Sequence, residues 1–172
     1  SNAVNYMFEN GIKGVDFVIC NTDAQALEAS PVPIKIQLGI DLTEGLGAGS
    51  NPDVGRRAAE ESADRITELL DANTKMLFIT AGMGGGTGTG AAPVIAEIAQ
   101  QKNILTVGVV TIPFSTEGGF RRKYADAGIA ELKKYVDTLL VIDNEKLIEV
   151  YGDLTFTSAF AKANEVLNTA TK

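Results

Sequence analysis

The sequence predicts an α/β fold: a three-layer sandwich with helices on both faces of a mostly parallel sheet. Three observations carry this. Short, near-continuous apolar runs recur along the chain, as in strands buried on both faces. Segments with helical periodicity separate them. The alternation of the two is the pattern of right-handed strand–helix–strand crossovers. At 172 residues, with 45% hydrophobic and 22% charged residues, one folded domain over residues 1–172 is expected.

The chain opens in a helical segment, Ala3 to Asn10. Val15 to Cys20 reads as a buried strand and Ile34 to Leu38 as a half-exposed one. Lys75 to Thr80, Ile104 to Thr111 and Val136 to Ile142 are further strands. Asn51-Pro52 pairs a capping residue with proline at the first helical position. The helix it opens places Val54, Ala58, Ala59, Ile66, Leu69 and Leu70 on its apolar stripe. Ala91 to Gln101 forms a second helix. Glu117 to Tyr135 forms a third, with Phe120, Tyr124, Ile129 and Leu132 turned inward. Glu145 to Tyr151 forms a fourth, and Thr157 to the C-terminus a fifth.

Composition narrows the chemistry. There are 15 Lys+Arg against 22 Asp+Glu, a net charge of −7, which disfavours nucleic acid or an anionic membrane as partner. No histidine is present, which rules out a Ser-His-Asp triad, a Cys-His dyad and a His-ligated zinc. The single cysteine, Cys20, reads as a small apolar residue and suits a reducing cytoplasm. No apolar run approaches the length of a membrane span.

The 18 glycines are clustered. Three fall at Gly45, Gly47 and Gly49, and six at Gly82, Gly84, Gly85, Gly86, Gly88 and Gly90. The second cluster sits where a strand ends and a helix begins. Backbone amides there converge without side chains in the way, and the helix N-terminus adds positive partial charge. Thr87 and Thr89 add hydroxyls, and the ligand this chemistry suits is a phosphate chain. The Walker pattern fails, because no lysine lies between Lys75 and Lys102. The dinucleotide pattern fails at Thr89 and lacks an acidic residue after the next strand, which ends Thr111-Ile112-Pro113. The competing reading of the glycines is a flexible surface turn, disfavoured by its entropic cost.

The run Gly84-Gly85-Gly86-Thr87-Gly88-Thr89-Gly90 resembles the signature of the tubulin-like proteins, and in particular of the FtsZ family of prokaryotic cell-division GTPases. Other blocks resemble the same family in the same order: Asn21-Thr22-Asp23-Ala24-Gln25-Ala26-Leu27, Gly45 to Pro52, Pro113-Phe114 with Glu117-Gly118 and Arg121, Asn144 with Lys146-Leu147, and Phe160 with Asn164.

That resemblance implies roles. Gly82 and Gly84 to Gly90, with Thr87 and Thr89, would cradle the β- and γ-phosphates of GTP or GDP. Ala48, Gly49 and Ser50 would close over the γ-phosphate. Asn21 and Asp23 would face the phosphate–magnesium side, with Mg²⁺ held through phosphates and water rather than by protein ligands. Pro113, Glu117 and Arg121 would lie by the ribose and α-phosphate. Asn2, Asn144 and Asn164 would read the guanine edge, and Phe160 would stack on the base. Phe160 and Asn164 are four apart on one helix, so ring and amide share a face. Several positions keep a second reading: Asp23 and Asn51 as helix caps, Phe160 as core, and Arg122 and Lys123 as solvated charge.

The resemblance further implies a chain truncated at both ends, lacking the family's first strand and its glycine turn, its later acidic loop and its second domain; Ser1 to Ala3 reads as native or as a tag remnant. The missing strand would expose sheet edges and favour self-association or a swapped segment. No catalytic residue is expected here, because the acidic loop of a neighbouring subunit supplies the carboxylates in a head-to-tail filament. The whole protein would hydrolyse GTP, drive filament and ring formation at the division septum, and meet other division proteins through further segments. This chain alone would be inactive or very weak. The alternatives are a tubulin-fold module that binds nucleotide without hydrolysis, a dinucleotide-binding oxidoreductase domain, and a non-catalytic interaction domain.

Overall fold

The computed structural model describes residues 2–9, 11, 14–143 and 145–146, with the backbone alone at 2 and 3. The elements run α1 (Asn2–Glu9), β1 (Val18–Asn21), α2 (Ala24–Glu28), β2 (Ile34–Gln37), α3 (Ile40–Thr43), α4 (Pro52–Glu61) and α5 (Ala63–Leu69). They continue through β3 (Met76–Gly82), α6 (Thr87–Gln101), β4 (Leu105–Ile112), a 3-10 turn (Ser115–Glu117), α7 (Gly119–Leu132) and β5 (Thr138–Asp143). The expected helices over 145–151 and from 157 onward lie beyond the described residues, apart from Glu145 and Lys146.

The ladders among the described residues are parallel. Val18 stands opposite Ile34 and Asn21 opposite Gln37. Met76 stands opposite Leu105, and Val107 opposite Thr138. Among the described residues β1–β2 and β3–β4–β5 form two separate ladders, with none joining β1 to β3.

One apolar cluster nevertheless spans both. Ile36 and Leu38 meet Ala58 and Ala59 of α4, Ile66 of α5 and Ala91 and Ala99 of α6, with Val18, Cys20 and Leu77 packed alongside. Alternation along β1 sends Ile19 to the opposite face, against Leu27, Val32, Val4 and Phe8. A further cluster joins Ile79, Val110 and Ile112 to Ala92 and Ala96 of α6 and Ala125 and Leu132 of α7. Helices therefore cover both faces, giving the layered α/β architecture. No helix among the described residues is long and apolar enough to cross a membrane.

Three departures from the expected elements have local causes. The helix opened by Pro52 breaks at Ser62, whose buried hydroxyl accepts the Gly39 amide at 3.1 Å instead of facing outward. α6 starts at Thr87, four residues early and inside the glycine run; Gly90 lies against the backbone of Pro52 and Arg56 of α4, so glycine there serves helix packing. On α7 the buried stripe is Ala125, Gly128 and Leu132, whereas Phe120 and Tyr124 face solvent, 77% and 37% exposed. A Cβ on Gly128 would come within 2.6 Å of Thr89 Cγ2, so the face of α7 that meets α6 is made of small residues and the rings point outward.

Candidate functional site

Four loops meet beyond the carboxyl ends of the parallel strands, where ligands bind in open α/β sheets. They follow β1 (residues 21–23), α3 (44–51), β3 (83–86) and β4 (113–118).

The loop after β3 is held at both sides. The Met83 amide donates to the Thr111 carbonyl at 2.9 Å, extending the strand alignment. The Gly84 amide donates to Thr89 Oγ1 at 2.8 Å, so the buried Thr89 hydroxyl braces the loop from behind. Gly84 has φ +108, and a Cβ there would lie 3.0 Å from Pro113 Cγ and from the Arg121 carbonyl oxygen. Both the turn and the close approach require glycine. Pro113 is buried and Arg121 half-exposed, so the loop after β4 forms the adjacent wall. A Cβ on Gly85, by contrast, would meet nothing within 4 Å. The loop thus borders open space on one side.

The first of the helical bonds in α6 runs from the Gly90 amide to the Gly86 carbonyl at 3.1 Å. The amides of Thr87, Gly88 and Thr89 ahead of it have no acceptor within the helix. Fifteen residues of helix stand behind them. Converging amides, a helix dipole and a run from Gly82 to Gly90 free of carboxylates suit an anion.

Loop 44–51 folds onto this cradle. It carries left-handed φ values at Glu44, Gly45, Gly47, Gly49 and Ser50. Ala48 is buried, and a Cβ on Gly86 would come within 2.7 Å of its methyl and 2.8 Å of the Asn51 amide nitrogen. A Cβ on Gly49 would meet nothing, which leaves Gly49 and Ser50 at the rim. Asn51 is the cap expected of it, accepting the Asp53 amide at 3.0 Å.

Thr22 and Thr87 join the first loop to the cradle, their hydroxyl oxygens 2.6 Å apart. Asn21 Oδ1 accepts the Asp23 amide at 3.2 Å. Asp23 Oδ1 accepts the amides of Gln25 and Ala26 at 2.9 and 3.2 Å, so Asp23 is the N-cap of α2. Glu117 accepts the Phe114 amide at 2.7 Å through Oε2, and its Oε1 faces Arg121 at 3.7 Å. Its carboxylate thereby shapes the turn after β4. The half-exposed Glu145 accepts the Ser115 amide at 2.7 Å, and its hydrogen bonds to Ser115 hold its carboxyl below the usual range.

The structure therefore gathers Asn21, Asp23, Ala48, Gly49, Ser50, Gly82, Gly84, Gly85, Gly86, Thr87, Gly88, Thr89, Pro113, Glu117 and Arg121 at one end of the sheet. Asn144, Phe160 and Asn164 lie outside the described residues, as does the Asn2 side chain at the start of α1. Thr22 was not among the expected site residues; its place between Asn21 and Asp23 at the end of a buried strand is the signal for it. Among the described residues no group of three or more Asp, Glu or Cys side chains could hold a metal.

Residues 1–152 match the family described as Tubulin/FtsZ family, GTPase domain. Over 167 residues the chain is 59% identical to the cell division protein FtsZ of Rhizobium radiobacter, covering 96% of this chain and 28% of the relative. It superposes on an empty FtsZ dimer from M. jannaschii with a TM-score of 0.94 and 48% identity, covering 99% of this chain and 49% of that one. The GDP-bound monomer of CetZ1 from Haloferax volcanii follows at a TM-score of 0.83 and 26% identity, over 97% of this chain and 54% of that one. The chain thus spans less than two thirds of the length of each.

Proposed function

This chain belongs to the Tubulin/FtsZ family, and from that premise we propose that it is the GTP-binding part of a self-assembling cell-division GTPase. The observation that carries the reading is the cradle of amides at residues 85–89 opening α6, with loop 44–51 folded over it. In a neighbour of the same fold the bound molecule is GDP.

The amides of residues 85–89 and the Thr87 hydroxyl bind the β- and γ-phosphates. Ala48, Gly49 and Ser50 close over the γ end. Asn21 and Asp23 face the phosphate–magnesium side, and Mg²⁺ supplies charge neutralisation on the phosphates. Glu117 and Arg121 flank the ribose and α-phosphate. Asn2, Asn144 and Asn164 read the guanine edge under a stacked Phe160.

Hydrolysis takes place between two subunits of a head-to-tail filament. Water attacks the γ-phosphorus in line, the bond to the bridging oxygen breaks, and GDP leaves as the phosphate product forms. Carboxylates of the neighbouring subunit orient that water and take its proton. The whole protein assembles at the bacterial division septum in the cytoplasm, and the chain alone binds nucleotide without turnover.

Melting the chain with Mg-GTP, Mg-GDP and NAD tests the reading. A ligand at a hundred times its Kd adds about 2.7 kcal/mol, a shift of several degrees. Stabilisation by both guanine nucleotides and not by NAD is expected; the absence of a guanine-nucleotide shift refutes it. Steady-state phosphate release tests the two-subunit step, and turnover linear in protein at nanomolar dilution overturns it.

A further inference from the structure

Thr22 is fully buried, with a relative exposure of 0%. Its backbone is fixed from two sides: its carbonyl oxygen accepts the Gly47 amide at 3.2 Å and shares the Thr43 hydroxyl, 3.3 Å away, with the Gly39 carbonyl at 3.1 Å. Loop 44–51, α3 and the end of β1 are thereby tied to one peptide unit. Its hydroxyl is 2.6 Å from Thr87 Oγ1, its one side-chain partner among the described residues.

Two hydroxyls share one hydrogen bond, so one of the two protons must go elsewhere. A donor buried without an acceptor is costly. If Thr87 donated to Thr22, the Thr22 proton would be that stranded donor. If Thr22 donates to Thr87, the second proton belongs to Thr87, which is only half-buried and opens α6 at the mouth of the cradle. Burial therefore decides the direction.

We propose that Thr22 is a positioning residue: it donates its proton to Thr87 Oγ1 and so commits the Thr87 hydroxyl to donate outward, to an anionic oxygen in the cradle. The identity of that oxygen as a nucleotide phosphate rests on the reading above; the direction of the proton does not. Donating through an oxygen that itself accepts a hydrogen bond also strengthens the outward bond.

Two measurements on the full chain test this. In the ligand-free chain the Thr22 hydroxyl proton is expected as a slowly exchanging proton NMR signal that vanishes in Thr22→Val, while the Thr87 hydroxyl exchanges with water. A protected Thr87 proton beside a rapidly exchanging Thr22 proton overturns the proposal. Binding is then followed with Mg-GTP and, as the phosphate-free control, guanosine. Thr22→Val is expected to weaken Mg-GTP about three- to tenfold, less than the loss of a whole charge-assisted bond in Thr87→Val, with guanosine unchanged. Thr22→Ser restores binding, and Thr22→Val adds nothing in a Thr87→Val background. Equal weakening of GTP and guanosine marks a merely structural role and overturns the proposal, as does full additivity of the two valine variants. A protected Thr22 proton in a chain that binds no GTP overturns the nucleotide reading while upholding the proton assignment.

Discussion

Replacing Gly55 by alanine tests the seam between α4 and α6, because two ordinary effects oppose each other there. In an open helix interior, alanine is favoured over glycine by about 1 kcal/mol. At Gly55 the new Cβ would fall 2.2 Å from the Gly86 carbonyl oxygen, 2.8 Å from its carbon and 3.0 Å from Thr87 Cα. All three are backbone atoms, so no side chain can rotate out of the way. The helices must part by roughly 1 Å, and inserting a carbon into such a closely packed contact costs about 1–3 kcal/mol. Rigid neighbours place the cost toward the upper end, leaving a net loss of about 1–2 kcal/mol. For a chain of this size that lowers Tm by about 2–8 °C. The displaced carbonyl belongs to the candidate cradle, so Mg-GTP binding weakens in parallel. Gly119→Ala is the control: it sits in α7 with nothing within 4 Å of its new Cβ, and its Tm holds or rises. Thermal melts and GTP titrations of the three chains decide the matter. A Gly55→Ala chain as stable as the parent, with unchanged binding, refutes the close-approach argument.

Other consequences are checked more simply. Asp23→Ala removes the cap of α2 and costs about 1 kcal/mol in urea denaturation, whereas Asp23→Asn keeps most of the cap and isolates any effect of the charge on magnesium-dependent binding. Burial pushes the Cys20 thiol up to about 11, so iodoacetamide at pH 8 labels it far more slowly in the native chain than in denaturant. The same shift makes stability fall as pH rises above about 9, because there the unfolded thiol loses its proton while the folded one keeps it. Phe120→Ser changes stability by less than about 0.5 kcal/mol, while Leu132→Ala on the same helix costs about 2–5 kcal/mol; equal losses in chemical denaturation contradict the observed facing of α7.

Local chemistry made most elements legible in the sequence. The apolar runs ending at Cys20, Leu38, Thr80, Thr111 and Ile142 all correspond to strands, because short apolar runs bounded by turn residues need little else to declare themselves. Asn51-Pro52 declares the start of α4 through its cap. What escaped depends on neighbours distant in sequence. Thr87 to Gly90 reads as loop by propensity, yet it is helix, and its Gly90 answers to a close approach by Pro52 and Arg56 of α4. Phe120 and Tyr124 read as core by polarity, but the short distance between α6 and α7 excludes rings from that contact. The site shows the same division. The cradle glycines are visible as a motif, since an anion is met by the backbone alone. Thr22 is visible only once the fold sets it against Thr87, 65 residues away.

The two strand ladders share no rung among the described residues. Each has a strong grain along its own backbone hydrogen bonds, while cohesion between them comes from the shared apolar cluster, the overlying helices and the hydroxyl contact at the mouth. Such cohesion resists compression far better than shear, because hydrophobic contact is non-directional and hydrogen-bonded ladders are not. Among the described residues the line between β1 and β3 is crossed by α4 packed against α6 and by Thr22 against Thr87, not by main-chain hydrogen bonds between strands. Because the candidate cradle straddles that line, anything seated in it bridges both ladders and acts as a rivet between them.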